Sequence, residues 1–243
     1  MKIFRYIYFA FLSISCCHYP EKVDYIEVNG QKLLYAVRGP EGGKPVVLVH
    51  GNGGSHKSLL TQAKQLARWG YRVYSPDSRG QGANPPVEEL HYSDMTEDTY
   101  QFIKKLSLEK PYFYGWSDGG IIGLMLEAYH PGTLGKLAVS GANLSPDCGD
   151  DFESFKEWIL ANQSPVTMMM LSEPNINPAD LAAIKCPTLV TAGSKDVISV
   201  EHTELISNSI PGSQLVIVKG GSHSSYIKRS PKMGKMLKVF FAE

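Results

Sequence analysis

The stretch best suited to covalent chemistry is Gly115-Trp116-Ser117-Asp118-Gly119. An apolar, aromatic run, Tyr112-Phe113-Tyr114, leads straight into it, and Ile121–His130 follows with a helical pattern and few breakers. A serine at a strand-to-helix turn, with glycines two before and two after it, is held in a strained backbone conformation. The turn has no room for Cβ atoms at the glycines, and the strain lifts the serine hydroxyl clear of the sheet. The start of the next helix adds unpaired N–H groups and the positive end of the helix dipole where an oxyanion would form. Ser117 is the candidate nucleophile.

A serine hydroxyl needs a general base, and the base works best when a carboxylate fixes its tautomer and stabilises the imidazolium. Two later strand ends supply this pair. Thr188–Ala192 runs into Gly193-Ser194-Lys195-Asp196, and Leu215–Val218 runs into Gly220-Gly221-Ser222-His223. The expected acid and base are therefore Asp196 and His223, in the chain order nucleophile, acid, base. His50 precedes the nucleophile, His130 ends the helix after it, His202 falls on a helix, and Asp77 comes too early. One oxyanion donor is expected from the N–H of Asp118. The other is expected from Asn52, in the glycine-rich loop His50–Gly54, where Gly51 lets the backbone approach a ligand closely. No H-E-x-x-H, phosphate loop or closely spaced Cys/His cluster is present, so the expectation is neither metal nor organic cofactor.

These residues need a scaffold that delivers several strand ends to one place. Tyr25–Val28 and Gln31–Arg38 flank Asn29-Gly30, a hairpin signal, and Val46–Val49 reads as a strand buried on both faces. His56–Trp69 has helical spacing and stops at Gly70. Arg72–Ser75 is another strand, and Tyr92–Leu106 a second helix with Asp94 as its expected N-cap and Glu97 three residues on. Asp77 and Arg79 read as a turn-stabilising ion pair. Leu134–Ser140 is an apolar strand leading into Gly141-Ala142-Asn143. This alternation predicts an α/β fold: a mostly parallel central sheet with helices on both faces and function at the carboxyl ends of the strands. Trp116 and Asn143 join Gly51 and Asp118 as candidate substrate contacts.

Between Asn143 and Cys186 the alternation lapses. Asp150–Asn162 carries a helical stripe of Phe152, Phe155, Trp158 and Ile159, and Val166–Leu171 includes Met168-Met169-Met170. The expectation is a small helical cap inserted at residues 144–185. Its methionines and aromatics, Met169 among them, either wall a substrate or pack the cap onto the main domain.

With 24 basic and 24 acidic residues and no run of like charge, nothing marks a nucleic-acid surface, and the expected partner is a small-molecule substrate. Residues 23–243 read as one domain. Residues 1–22 read as an export signal: Lys2 and Arg5, then the apolar Tyr6–Ile14, then Ser15-Cys16-Cys17. A cysteine there resembles a bacterial lipoprotein signal, which implies a lipid anchor at Cys16 or Cys17 in the cell envelope; a soluble periplasmic or cytoplasmic form is the alternative. Cys148 and Cys186 read as buried free thiols, with a disulfide between them in an oxidising compartment as the alternative.

From Val23 to the end, the chain resembles the α/β-hydrolase superfamily through His50-Gly51, Asp77-x-Arg79-Gly80-x-Gly82, Gly115-x-Ser117-x-Gly119, Asp196 and His223. The resemblance implies the α/β-hydrolase fold and a serine hydrolase acting through an acyl-enzyme. A carboxylic ester is the first substrate class, with amide, thioester, lactone and C–C bond hydrolysis as alternative chemistries. The fold also serves in small-molecule binding proteins with little or no turnover, which stays open. Gly115-Trp116-Ser117-Asp118-Gly119-Gly120 followed by Gly141-Ala142-Asn143 is similar to the valacyclovir-hydrolase-like (biphenyl-hydrolase-like) esterases, which accept amino-acid esters. That similarity implies that Asp118 receives a substrate ammonium group; an acid at a helix N-terminus also has a purely local explanation.

Overall fold

A computed structural model describes residues 19–149 and 152–242. The export and lipoprotein reading, with Cys16 and Cys17, rests on residues 1–18 and so lies outside the described residues. Strands β1 (Lys22–Val28) and β2 (Gln31–Arg38) form the expected hairpin, in register from Lys22 opposite Val37 to Val28 opposite Gln31. Asn29 and Gly30 both have positive φ, 47° and 74°, as a two-residue type I′ turn requires. Six strands follow: β3 (Pro45–Val49), β4 (Arg72–Pro76), β5 (Tyr112–Trp116), β6 (Lys136–Ser140), β7 (Thr188–Lys195) and β8 (Gln214–Ser222). They run parallel to one another in an eight-stranded sheet of order β1-β2-β4-β3-β5-β6-β7-β8, with β2 antiparallel to β4. The chain moves from β3 to β4 on one side, then returns across β3 to β5 on the other. A crevice opens outside the carboxyl ends where the winding reverses.

Alternating side chains divide the interior into two cores. Val47 and Val49 point to one, covered by α2 (Tyr92–Lys105), α3 (Asp118–Tyr129) and α6 (Val200–Ser209). Val46 and Leu48 point to the other, covered by α1 (Leu60–Arg68) and α7 (Lys232–Ala242). Both faces of β3 are therefore dry, which is why its sequence is continuously apolar.

Several local expectations are corrected. The helix expected over 56–69 begins as a 3₁₀ turn, His56–Leu59, capped by the Ser55 side chain, and becomes α-helical only at Leu60. Asp94 is not the N-cap of α2: His91 holds that position without a side-chain cap bond, and Asp94 lies in the first turn. The cap arrives from across the fold, where the Glu173 carboxylate accepts from the Tyr92 N–H at 2.9 Å. Asp77 and Arg79 do not pair with each other. Asp77 is fully buried and accepts from the backbone and ring of His56 and from the Ala83 N–H, whereas Arg79 reaches Asp98 and Asp94.

Between β6 and β7 lie α4 (Phe152–Ala161), α5 (Pro165–Met168) and two 3₁₀ turns, Met169–Leu171 and Pro178–Ala183. The aromatic stripe of α4 faces outward more than expected. Ile159 is buried, but Phe155 and Trp158 are exposed and stack on each other with centroids 6.3 Å apart. Cys148 and Cys186 are free, half-buried thiols, and burial pushes both up to about 12. Among the described residues, no helix is long and apolar enough to cross a membrane.

Candidate active site

The turn after β5 is set by contacts that exclude side chains. A Cβ at Gly115 would lie 1.9 Å from the Gly119 carbonyl oxygen, and one at Gly119 would lie 2.1 Å from that of Val49. Ser117 between them adopts φ 55° and ψ −118°, a region costly for any residue with a side chain. Its carbonyl accepts from the N–H groups of Gly120 and Ile121, and its own N–H donates to the Ser140 carbonyl on β6 at 2.8 Å. Strand, turn and helix together hold the strained residue in place.

The three side chains singled out on separate strand ends meet. His223 Nε2 is 3.0 Å from Ser117 Oγ, and His223 Nδ1 is 2.6 Å from Asp196 Oδ1. The Asp196 side chain is fully buried and also accepts from the N–H groups of Gly193 and Ile198, each at 3.2 Å. A carboxylate accepts only, so it fixes the imidazole proton on Nδ1 and leaves Nε2 free to accept from the serine hydroxyl. The register of β7 against β8 shifts between Gly193 and Lys195, an irregularity of the kind that re-aims a strand end beside a site.

Gly141, which sequence reasoning placed at the same sheet edge without a role, is the floor of this arrangement. A Cβ there would lie 2.9 Å from both Cε1 and Nδ1 of His223. Its neighbour Asn143, expected at the substrate, turns back into its own loop, with Nδ2 donating to the Ser145 carbonyl at 2.8 Å.

The loop after β3 closes on the nucleophile. A Cβ at Gly51 would sit 3.0 Å from Ser117 Cβ. His50 braces this loop: its buried ring contacts the Gly51 carbonyl through Nδ1 and accepts the Ser78 N–H at Nε2, 3.0 Å away. Burial lowers its pKa, so it is a neutral ring with its proton on Nδ1. Asn52 Nδ2 donates to Asp118 Oδ2 at 3.1 Å and to the Val166 carbonyl at 2.9 Å, tying the loop to the cap segment. Asp118 is 3% exposed, with Oδ1 accepting from the Tyr92 hydroxyl at 2.8 Å. Burial pushes its carboxyl up to about 6, against the lowering by Tyr92, Asn52 and the charge of His223.

Two further expectations are displaced. Trp116 does not face a substrate cavity: it is 6% exposed, and its indole N–H donates to the His223 carbonyl at 2.9 Å while Lys228 Nζ stands 4.7 Å from its ring. It braces the loop that carries His223. Trp116→Phe keeps the ring but removes that donor, and is expected to lower kcat about 10-fold with KM unchanged. Steady-state kinetics on a soluble ester check this; a raised KM at constant kcat would return Trp116 to the substrate. Met169 is 5% exposed and belongs to the main core beside Leu144 and Ile176, so it packs the cap down instead of lining a wall.

A cavity of about 460 Å³ lies between α4 and the Asp196 loop, lined by Cys148, Phe152, Phe155, Val197 and Ile198 as well as Asp196. The other described histidines are engaged elsewhere: His56 with Asp77, His91 with Glu173, His130 with Glu97, and His202 with the Leu144 N–H. Among the described residues, no group of three or more His, Cys, Asp or Glu could hold a metal ion.

The sequence profile of the alpha/beta hydrolase fold matches residues 44–169, more than half of the chain and the part that includes the loop after β3 and the Ser117 turn. The chain belongs to the alpha/beta hydrolase fold family. This hydrolase is 26% identical to the human (Homo sapiens) serine hydrolase BPHL, over 88% of its own length and 84% of that protein's. It is 24% identical to 3-oxoadipate enol-lactonase 1 of Acinetobacter baylyi, over 87% and 94% of the two chains. Among solved structures, an enol-lactonase from Burkholderia xenovorans LB400 superposes with a TM-score of 0.75 at 21% identity, covering 90% of this chain and all of that one. A hydrolase from Pseudomonas aeruginosa PA01 gives 0.74 at 23% identity, over 91% and 98%. These structures share the fold, and the two curated relatives are a serine hydrolase and an enol-lactonase.

Proposed function

We propose that this hydrolase cleaves a small-molecule carboxylic ester through an acyl-enzyme, with Ser117 as nucleophile, His223 as general base and acid, and Asp196 orienting His223. The observation that carries the reading is the unbroken chain from Ser117 Oγ through both ring nitrogens of His223 to Asp196 Oδ1, at 3.0 and 2.6 Å. Ser117 attacks the ester carbonyl while Nε2 takes its proton. The backbone N–H groups of Asn52 and Asp118 stabilise the oxyanion, and Nε2 then protonates the departing alkoxide. Water enters, loses a proton to Nε2, attacks the acyl carbon, and releases the acid and free Ser117. The test is a panel of p-nitrophenyl esters together with a fluorophosphonate probe. Turnover with stoichiometric labelling of Ser117 is expected; labelling elsewhere, or binding of esters without turnover, would replace this reading by the binding-protein one.

A second reading concerns specificity for amino-acid esters, and one observation favours it. The Asp118 carboxylate is buried beside the nucleophile, is contacted by two neutral donors, Tyr92 and Asn52, and has its pKa raised to about 6 by burial. A buried carboxylate in neutral company gains from an incoming ammonium group. The raised pKa sets the sign. As pH rises through about 6 the carboxylate ionises, so the ratio of kcat/KM for an aminoacyl ester to that for the matching neutral ester should rise and then level off. Using the ratio cancels the titration of the shared base. Asp118→Asn should flatten the ratio across pH; a ratio near one for the wild type throughout would leave Asp118 as a clamp on Asn52 only.

A further inference from the structure

The balanced net charge of this chain, 24 basic against 24 acidic residues, is not balanced in space. Residues 45–76 contain four basic and no acidic side chains, and residues 205–242 contain six basic and no acidic side chains. The two segments are far apart in sequence. They supply α1 and α7, which pack against each other over one face of the sheet, and the edge strand β8 beside α7. Lys64 and Arg68 on α1, Lys232, Lys235 and Lys238 on α7, and Lys219 on β8 are all exposed. Among the described residues, none of these six is in an ion pair. The opposite layer has no such one-signed face: α2 carries Asp94, Glu97 and Asp98 together with Lys104 and Lys105, and α6 carries Glu201 and Glu204 without a lysine or arginine.

Apolar side chains stand among these lysines. Val239 on α7 is 63% exposed, and Val216 on β8 is 37% exposed. A groove of about 550 Å³ between β8 and α7 is walled by Val216, Met236 and Val239, with Lys219, Lys232 and Lys235 on its rim. We propose that the face formed by α1, α7 and β8 docks on a lipid bilayer bearing anionic headgroups.

The chemistry fits that occupant. Lysines flanking exposed aliphatic side chains can lay their methylene stems along an apolar surface while their ammonium groups meet lipid phosphates. Each basic residue near an anionic membrane adds roughly a fivefold gain in partitioning, so a face with six is strongly biased toward such a surface and is screened by salt. A single-stranded nucleic acid would instead call for exposed stacking rings along a basic groove. Here the exposed apolar groups are aliphatic. The proposal is independent of the ester-hydrolysis reading and of the N-terminal lipid, because it concerns a face built from α1, α7 and β8.

The experiment is co-sedimentation of the full chain with phosphatidylcholine vesicles made with and without phosphatidylglycerol. Preferential binding to the anionic vesicles, reversed by raised salt, is expected. A variant combining Lys64→Gln, Arg68→Gln, Lys235→Gln and Lys238→Gln should lose roughly 600-fold in partitioning to the anionic vesicles. A control combining Lys22→Gln, Lys104→Gln, Lys156→Gln and Lys185→Gln removes the same charge from other exposed positions, and should lose far less. Thermal unfolding of both variants verifies the fold; if the first is unfolded, Lys235→Gln with Lys238→Gln alone should still give on the order of a 10-fold loss. The proposal is overturned by equal binding to neutral and anionic vesicles, by equal losses in the two variants, or by duplex DNA displacing the protein from anionic vesicles.

Discussion

Ser117→Ala should reduce ester hydrolysis by about 10⁴- to 10⁶-fold, the range seen when a nucleophile is removed from an intact serine hydrolase site. The loss should fall on kcat. The loop of Gly51 and Asn52 and the Asp118 N–H do not depend on the hydroxyl, so KM should move little. Folding should be preserved for a specific reason. The strain at φ 55° belongs to the backbone and is shared by serine and alanine, while the contacts that fix the turn come from Gly115, Gly119 and the Ser117 carbonyl. Ser117→Gly, which relieves the positive φ, should be equally inactive yet more stable than Ser117→Ala by roughly 1 kcal/mol, offset in part by the freer unfolded chain. Initial rates, fluorophosphonate labelling and thermal unfolding of the two variants make the check. Substantial turnover by Ser117→Ala would mean that another group attacks the ester.

That pair of variants depends on features which differ in how far they can be read from sequence. The Ser117 turn, the Asn29-Gly30 hairpin and the dry strand β3 are local: residue type dictates backbone conformation or two-sided burial within a few positions, so each is legible in place. The meeting of Ser117, Asp196 and His223 is not local, but parallel strands bring their carboxyl ends to one edge, and that topology follows from alternating apolar strands and helices. What escaped is whatever depends on a partner distant in sequence. Asp94 looks like the cap of α2 because it is an acid near the right place, yet the Tyr92 N–H is satisfied by Glu173, 81 positions on. Trp116 beside the nucleophile suggests a substrate contact, but a side chain on β5 alternates with its neighbours and here faces the α1 and α7 core, where it meets the His223 loop. Gly141 does carry a local signal: a glycine at a strand end beside two candidate loops is where a ring can approach the backbone. The segregation of charge was hidden for the same reason as the cap of α2. Neither segment is a run of lysines, and only the pairing of α1 with α7 makes them one face.

Asp196→Asn tests the part of the site that acts through another residue, and should lower kcat by about 10⁴-fold. The carboxylate has no spare orientation to offer an amide. Oδ1 accepts from both His223 and the Ile198 N–H, and Oδ2 accepts from the Gly193 N–H. If the amide oxygen takes the Oδ1 position, the amide NH₂ meets the Gly193 N–H, donor against donor, in a fully buried site. If it turns the other way, the NH₂ faces the Ile198 N–H and donates to His223 Nδ1. The ring proton then moves to Nε2, where it points at the Ser117 hydroxyl and cannot accept from it. In either orientation the charge that stabilises the imidazolium is gone. The loss should appear equally in the rate of fluorophosphonate labelling, because both measurements need an activated Ser117. KM should stay within a few-fold of wild type, since the Asp196 side chain is fully buried behind His223 and does not reach a bound substrate. Near wild-type labelling by this variant would assign the orienting role to a different carboxylate. Asp118, whose ionisation His223 already influences, would then be the group to substitute next.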